Sequence, residues 1–540
     1  MRSLRREPAL FLALLAVASL ALAFIVYPQI QVILTPGPDG YVSFLQEGTW
    51  LSPLRNSIQL TALLTTTAVL LGFVYAYAMA YSNMRWKPFF RLIGILPLLS
   101  PPFVVAAAYT LLFGARGIVS YGVFGQSPNI YGLGGVWGVQ TIAFFPFAYQ
   151  LIADALSRSD PRMEQAARNL GAGSWRVFWT VTLPLSRPGL GAAILTTAIY
   201  ILEDFGNPQL IGGQFYVLPT QAYNLISGFG EYTSAAAVST ILLLLALGLY
   251  LGKVRLDGGR SFVTISGRAS SMPRPPVSPG LSWACFAACL ALAGLILLVY
   301  GSLVVSALTL RFPNNLQFTL EHFQYVTTGT NGEALRNTLV FSSVAAGFSA
   351  IFALFAAWLV QRGQWPGKRA LDLLLILPAA IPGIFFGLGY VTAFNQRWLD
   401  FVYRGWLIII AFIFWNIPVG YQAAVAGLRQ IDRSIDEAAT SLGASSMRGF
   451  REVLLPMLGG SLRVGLVTTF VRAVTTLSLV IFLFTPPTTV ATIRIYQLVN
   501  DLNWGAATAF TVADIGMAIL ALSIFAVLAR GRIALGAARA

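Results

Sequence analysis

Long apolar stretches separated by short polar segments run along the whole chain. Lipid offers the backbone no hydrogen-bond partners, so a stretch that crosses the membrane must be helical, and it needs about 20 residues to span ~30 Å of hydrocarbon. The pattern predicts an all-α polytopic membrane protein with about twelve transmembrane helices. They are expected at about 9–30, 54–81, 91–113, 135–157, 187–210, 233–254, 281–309, 335–360, 370–394, 405–428, 462–484 and 506–529.

The composition supports this interpretation. Hydrophobic residues make up 56% of the 540-residue chain and charged residues only 10%, whereas an ordinary soluble protein is about 25% charged. A water-soluble enzyme of this size is therefore excluded. The net charge of +15 does not indicate nucleic-acid binding, because so apolar a chain cannot hold a solvated basic face. We expect the lipid membrane as its surroundings and no nucleic-acid partner.

Basic residues are concentrated in alternate connecting segments. If the N-terminus is cytoplasmic, 27 of the 35 lysines and arginines fall on the cytoplasmic side, which is the usual bias of membrane proteins. Both termini are therefore predicted to be cytoplasmic. Arg2, Arg5 and Arg6 precede an apolar stretch with an Ala-x-Ala triplet at Ala21 and Ala23. A cleaved signal peptide is one interpretation, but the apolar run continues beyond the triplet, which favours a retained first span.

The chain consists of two similar halves. Phe-Pro-Phe-Ala-Tyr-Gln at 145–150 corresponds to Ile-Pro-Val-Gly-Tyr-Gln at 417–422 at an offset of 272, and residues nearer the start of each half correspond at an offset of 281. We predict a first half at 1–254, a Pro-rich cytoplasmic linker at 255–280 and a second half at 281–540. Each half has an even number of spans, so the repeats are predicted to be parallel.

Two polar loops, at about 158–186 and 429–460, match each other closely. Each has paired alanines, then a glycine, and a proline 13 residues after the glycine. Gly171 and Gly443 are expected in the left-handed conformation just past a helix end. A turn that only connects two spans is the alternative, which two copies at identical spacing disfavour. The residues expected to anchor each turn beneath the spans are Leu170, Phe178, Leu442 and Phe450.

This pattern resembles the Glu-Ala-Ala loop of ATP-binding-cassette importer permeases. The residues that carry the resemblance are Gln165, Ala166, Ala167, Gly171 and Pro184 in the first loop, and Glu437, Ala438, Ala439, Gly443 and Pro456 in the second. In that family the loop forms a coupling helix that docks on a separate cytoplasmic ATPase. Gln165 stands where the family usually has glutamate, which puts the charged contact of the first loop in doubt.

The resemblance implies a type I importer transmembrane domain of two repeated six-helix halves, in the bacterial cytoplasmic (inner) membrane. It implies two partners: a homodimeric cytoplasmic ATPase, and a periplasmic or extracellular substrate-binding protein. The sequence contains no Gly-x-x-x-x-Gly-Lys-Ser/Thr phosphate-binding loop, so ATP hydrolysis is expected in the partner. We therefore expect this chain to be a permease subunit and not an enzyme, with no cofactor of its own and with ATP and Mg²⁺ on the partner ATPase.

The cargo is less closely specified. The fused layout, with Glu-Asp-Phe-Gly-Asn-Pro at 203–208 and Phe-Val-Arg-Ala at 470–473, is similar to permeases of the ferric-iron type, which implies ferric iron as cargo. Thiamine permeases share the fused layout, and phosphonate and sugar-phosphate importers are also similar. A secondary transporter driven by an ion gradient is the alternative from another class. It would depend on carboxylates inside the membrane.

Ionisable residues within spans are candidates for a translocation pathway. Glu203 and Asp204 lie about 24 Å up their helix and Arg472 about 18 Å up its own, counted at ~1.5 Å per residue. Glu203 and Arg472 are predicted to face each other, either lining the pathway or forming a structural ion pair. Asp514 is similarly interior. The paired breaks at Pro97, Pro101, Pro378 and Pro382 are either a gate or simple packing kinks.

Three further residues could in principle bind metal. Cys285 and Cys289 share a helix face, but small residues packing within a span explain them better. The single histidine, His322, lies in an outer loop and is better explained as a surface residue. We therefore predict no metal site.

Overall fold

The computed structural model describes residues 8–158, 160–257, 277–363, 365–394 and 405–537. Most of the predicted linker lies outside the described residues, as do the three arginines at positions 2, 5 and 6. The predictions for those segments are therefore untested. The described part of the chain is overwhelmingly helical.

The described part of the N-terminal half contains thirteen helices with α geometry. They are α1 Pro8–Ala21, α2 Tyr27–Leu34, α3 Gly37–Glu47, α4 Leu51–Tyr81, α5 Lys87–Ile95, α6 Val104–Phe113, α7 Leu133–Arg158, α8 Pro161–Asn169, α9 Ser174–Val177, α10 Leu183–Glu203, α11 Gly206–Ile211, α12 Leu218–Phe229 and α13 Tyr232–Asp257. Short π turns at Leu22–Val26, Ile118–Val123 and Phe178–Thr182 and a 3₁₀ turn at Leu96–Leu99 connect some of them.

The described part of the C-terminal half repeats this order. Its helices are α14 Pro279–Ala307, α15 Glu321–Thr327, α16 Gly329–Arg362, α17 Lys368–Ile376, α18 Gly383–Phe394, α19 Trp406–Gln430, α20 Ser434–Ser441, α21 Ser446–Gly449, α22 Leu455–Met457, α23 Gly459–Thr475, α24 Ala491–Asn500 and α25 Trp504–Ala537. A π turn at Phe450–Leu454 and 3₁₀ turns at Leu377–Ala380 and Pro486–Thr488 accompany them. Strands β1 Thr309–Arg311 and β2 Asn315–Phe318 pair antiparallel as a hairpin.

The prediction of about twelve spans is confirmed. Ten helices in the described part of the chain are long and apolar enough to cross a membrane, and two bent helix pairs bring the number to twelve if each pair is counted as one span. Two predicted spans were wrong in detail, because the fifth span of each half is helical only to Glu203 and to Thr475. The spans predicted at 91–113 and 370–394 are interrupted at their 3₁₀ turns, beside the prolines for which breaks were predicted.

The contacts form two compact units. One contains residues 42–231 and 241–320, and the other contains residues 1–41, 232–240 and 321–540. Each unit therefore includes a span that belongs to the opposite half of the sequence. The boundaries at 254 and 281 describe the sequence repeat and stay predictions.

In the first unit, α14 packs against α4, α5 and α6. The hydroxyls of Ser100 and Tyr300 are 2.6 Å apart and form a buried hydrogen bond. This bond lies where the chain breaks between α5 and α6. It gives the interrupted span a polar contact that lipid could not supply.

In the second unit, the first span of the chain packs on α18 and α19. The Tyr390 hydroxyl donates to the carbonyl of Phe24 at 2.8 Å, and the Phe24 ring stacks on Phe414 at a centroid distance of 4.9 Å. Gly389 allows the close approach, because a Cβ there would lie 2.9 Å from the carbonyl oxygen of Pro28. The first span is thus held by a glycine contact and aromatic packing.

We expect Gly389→Ala to destabilise the protein by about 1–3 kcal/mol, because the added methyl group would overpack a backbone contact. Gly347→Ala is the matched control, since a Cβ at this helical glycine has no neighbour within 4 Å. Thermal unfolding of the detergent-purified chain measures both. Equal melting temperatures for the two variants would contradict the packing argument.

Candidate functional site

The two predicted coupling loops begin in the same way. Asp160 precedes α8 and its Oδ1 accepts from the amide of Arg162 at 2.9 Å. Asp432 precedes α20 and its Oδ1 accepts from the amide of Ser434 at 2.8 Å. These side chains satisfy amides that the first turn of a helix leaves unpaired. The hydrogen bonds from Ser434 hold the pKa of the Asp432 carboxyl below its usual value.

The two loop helices also end in the same way. Gly171 and Gly443 have φ angles of +85° and +84°, so the predicted left-handed conformation is confirmed. The amide of Ala172 donates to the carbonyl of Ala167 at 3.0 Å, and Ala444 donates to Ala439 at the same distance. This six-to-one bond across a left-handed glycine is the Schellman motif. Open space surrounds both glycines, so glycine is needed there for its backbone conformation.

The leucine before each glycine was predicted wrongly. Leu170 and Leu442 were expected to pack beneath the spans, but they are 87% and 89% exposed. The left-handed turn directs them away from the protein, because each follows the last helical residue and has no neighbouring helix to cover it. Ala166 and Ala438 are also exposed. Each loop thus presents an apolar tip beside slim alanines.

The predicted aromatic anchors contact the second span of their own half. Phe178 packs edge-on against Tyr77 at a centroid distance of 5.8 Å. Phe450 stacks on Trp358 at 4.5 Å. Tyr77 and Trp358 are equivalent at the offset of 281, just as the two phenylalanines are at 272. The same aromatic contact is therefore built twice with different side chains.

The prolines of the loops lie just beyond a widened turn. π turns at Phe178–Thr182 and Phe450–Leu454 precede Pro184 and Pro456. Proline has no amide hydrogen to donate and its ring crowds the carbonyl one turn earlier, so a helix commonly widens before it. The Leu-Pro part of the pattern thus accounts for how each loop joins the fifth span.

The acidic residue that precedes each Gln/Glu-Ala-Ala triplet was missed from the sequence. Glu164 is buried, and its Oε1 accepts from the hydroxyl of Tyr81 at 2.6 Å. Asp436 lies 3.0 Å from the Nε of Arg362, measured from its Oδ2. The two acidic residues occupy equivalent positions, 272 residues apart. An acidic residue at the same position of both loops was the sequence signal that could have identified them. Gln165 is half-buried and Glu437 is exposed.

Open space lies beside the second loop. A cavity of about 390 Å³ is lined by α20, by the start of the first span and by the end of α16, with Leu10, Trp358, Arg362, Thr440 and Ser446 among its walls. The helix α20 of the second predicted coupling loop is therefore attached on one side and open on another.

Two of the candidate pathway residues contact side chains of their own unit. Asp204 follows the end of α10, and its Oδ2 accepts from the amides of Gln140 at 2.6 Å and Asn207 at 2.8 Å. Arg472 lies over the ring of Trp415, with its guanidinium carbon 4.5 Å from the ring centroid. Glu203 is the last residue of α10. Its predicted approach to Arg472 stays a prediction, since the two belong to different units.

Asp514 is a buried acidic group inside a span. It is 0% exposed within α25, and neither of its carboxylate oxygens has a hydrogen-bond partner among the described residues. A carboxyl group without partners inside a span is costly to keep charged, so such residues usually serve a function.

The predicted proline breaks are confirmed as breaks. The 3₁₀ turn Leu96–Leu99 contains Pro97, and Pro101 follows before α6 begins. In the second half, the pair formed by α17 and α18 bends by 111° near Pro378 and Pro382. Their role as a gate stays a prediction.

The residues considered for metal binding are dispersed. Cys285 and Cys289 are buried on α14. His322 packs on Gly505, where a Cβ would collide with its ring. Within the described residues, no group of three or more His, Cys, Asp or Glu side chains could hold a metal ion.

Comparison with known proteins places the chain among transport proteins. Residues 68–255 and 349–534 match the family described as binding-protein-dependent transport system inner membrane component. Ferric transport system permease protein FbpB of Actinobacillus pleuropneumoniae is 32% identical over 92% of this chain and 75% of its own length. Putative ferric transport system permease protein FbpB 1 of Haemophilus influenzae is 32% identical over 90% of this chain and 79% of its own length.

A shorter relative aligns with one part of the chain. Molybdenum transport system permease protein ModB of Escherichia coli is 31% identical over 35% of this chain and 86% of its own length. The family matches twice, once in each repeated half, which confirms the resemblance drawn from the loop residues. The chain therefore belongs to the binding-protein-dependent transport system inner membrane components, as a fused two-half permease of an ATP-binding-cassette importer.

Proposed function

We propose that this permease carries ferric iron from a periplasmic binding protein across the inner membrane, driven by a separate ATPase. The observation that carries the proposal is the relation to two ferric transport permeases along nearly the whole chain, in the same fused form. Both termini are cytoplasmic in this proposal, so the two loops face the ATPase. ATP and Mg²⁺ bind to that partner.

The two loops are the proposed docking sites. Their helices have matching caps and left-handed ends, and both carry an exposed leucine at the tip. A helix with an apolar tip and small neighbours suits a groove in a partner. Two sites of equal geometry suit a partner with two equal grooves, which supports a homodimeric ATPase. Alternating access would follow when closure of the ATPase moves both loops.

The polar residues inside the spans support an anionic form of the cargo. Arg472 places a positive charge over the Trp415 ring. A fixed cation repels a bare metal ion and tolerates one that travels with an anion. Ferric ion accompanied by an anion fits this environment, and the bend between α17 and α18 is the proposed gate.

We expect iron-loaded binding protein to stimulate ATP hydrolysis by liposomes that hold this chain with its cognate ATPase. The reason is that only a loaded binding protein should favour the state in which the ATPase closes. Empty binding protein is the control, and thiamine, a phosphonate, a sugar phosphate and molybdate are the competing cargoes. Stimulation with one of these and none with iron would contradict the proposed cargo while keeping the transporter class.

Gly443→Pro and Glu437→Lys are expected to reduce uptake at least tenfold without unfolding the protein. Proline cannot adopt a φ near the +84° of Gly443, and lysine reverses an exposed charge at the proposed contact. Gly460→Ala is the control, since a Cβ there meets open space. Uptake and melting temperature are measured together. Unaltered uptake in both variants would rule out docking through this loop.

Transport by the Asp514→Asn and Asp204→Asn variants is expected to remain dependent on ATP. In a secondary transporter these carboxylates would couple transport to an ion gradient, and their loss would abolish it. Uptake into liposomes is measured with and without ATP, and with and without a proton gradient. Uptake that follows the gradient and ignores ATP would favour the secondary transporter.

A further inference from the structure

The acidic residue before each triplet points into the protein, away from the exposed face of its loop helix. Glu164 is 2% exposed, and Asp436 is half-buried. Their neighbours Ala166 and Ala438 are exposed on the same two helices. Each coupling helix therefore has an outer face, suited to a partner, and an inner acidic residue that faces its own half.

Glu164 connects three elements of the first half. Its Oε1 accepts from the Tyr81 hydroxyl at 2.6 Å and from the Thr182 hydroxyl at 3.0 Å. Tyr81 is the last residue of α4, and Thr182 is the last residue of the π turn that leads into α10. One buried carboxylate thus joins α8 to the ends of the second and fifth spans.

Asp436 makes the corresponding contact with an ion pair. Arg362 is the last residue of α16, and its Nη2 also donates to the carbonyl of Ile431 at 2.7 Å. Tyr81 and Arg362 are equivalent at the offset of 281. Burial raises the pKa of the Asp436 carboxyl, and the Arg362 guanidinium opposes that rise. The equivalent of Thr182 is Leu454, so the second contact has no hydroxyl donor from that position.

We infer that Glu164 and Asp436 are positioning residues that tie each coupling helix to the end of the second span of its half. Hydrogen bonds and ion pairs that involve a buried carboxylate are short and strong, and losing one partner is costly. Together with the Phe178–Tyr77 and Phe450–Trp358 contacts, they attach each loop at two points. A two-point attachment prevents the helix from turning on the span, so a displacement of the helix moves α4 or α16 with it.

The inference rests on the proposed function, and its test separates docking from force transmission. We expect Tyr81→Phe and Glu164→Gln each to lower the amount of iron transported per ATP by about tenfold. The ATPase retained on the purified complex and its KM for ATP should stay unchanged. The double variant should be no worse than Glu164→Gln alone, because Tyr81→Phe removes one of the two hydrogen bonds that Glu164→Gln already weakens.

The second half provides a test by rescue. Asp436→Asn should uncouple in the same way, and Asp436→Glu should restore coupling because it keeps the charge for Arg362. Tyr121→Phe is the control, since this tyrosine is exposed, lies in neither loop, and its hydroxyl has no hydrogen bond among the described residues. It should leave transport per ATP unchanged.

Movement of the second span is measured independently of the cargo. Spin labels at Leu51 and Val305, in a chain whose two cysteines are replaced by serine, report the distance between the predicted outer ends of α4 and α14. A non-hydrolysable ATP analogue should change this distance in the unmodified complex, and Glu164→Gln should abolish the change although the ATPase still binds.

Two results would overturn the inference. One is loss of bound ATPase in proportion to the loss of transport, which would make these acids docking residues. The other is unchanged coupling in both Glu164→Gln and Asp436→Asn. If iron fails to stimulate the unmodified complex, the proposed cargo is contradicted instead, and the label distance alone decides the inference.

Discussion

Hydrocarbon offers no partner to a polar backbone group, and this constraint shapes the whole molecule. Continuous helices satisfy it without help, so any break in a span must find its hydrogen bonds within the protein. Two of the breaks in the described part of the chain have polar side chains beside them. Ser100 forms a hydrogen bond with Tyr300 beside the first proline break. Where α10 ends, Asp204 accepts hydrogen bonds from two side-chain amides. The interruptions are therefore costly features that the sequence supports with specific partners, which is the pattern expected of functional segments.

The sequence was sufficient for features that depend on the backbone. Twelve apolar runs gave the spans because length and hydropathy alone decide whether a helix can cross lipid. Gly171 and Gly443 gave the left-handed ends because few other residues adopt that conformation at low cost. The proline pairs likewise marked the breaks at the 3₁₀ turns Leu96–Leu99 and Leu377–Ala380. In each case one residue type has one strong physical consequence, and no knowledge of its neighbours is needed.

Features that depend on distant neighbours could not be predicted in this way. Leu170 and Leu442 are apolar, and apolarity alone suggested burial, but only the geometry of the turn shows that they point outwards. One hydrogen-bond partner of Glu164, Tyr81, lies 83 residues earlier in the chain, and nothing local identifies it. The early end of α23 at Thr475 also escaped the hydropathy pattern, because the residues that follow remain apolar although they are no longer helical.

The two halves share their loops but differ in the polar residues of their spans. Arg472 is equivalent to Tyr200, and Asp514 to Leu242. The amides that hold Asp204 come from Gln140 and Asn207, whose equivalents are Phe412 and Leu479. Duplication of a gene begins with identical halves, so either part could have diverged. The loops have matching caps and turns. A partner with two equal grooves would explain why both loops stayed alike.

A single cargo imposes no such equality on the spans. A cargo molecule can interact with a charged residue of one half without needing a charge at the equivalent position of the other half. The contacts of Glu164 and Asp436 lie between the loops and the pathway residues, where each loop meets the second span of its half. There the chain keeps the position of each contact but changes its chemistry, from a hydroxyl on Glu164 to a guanidinium on Asp436. The two halves therefore share an attachment rather than a particular pair of side chains, which is the behaviour expected of a mechanical link.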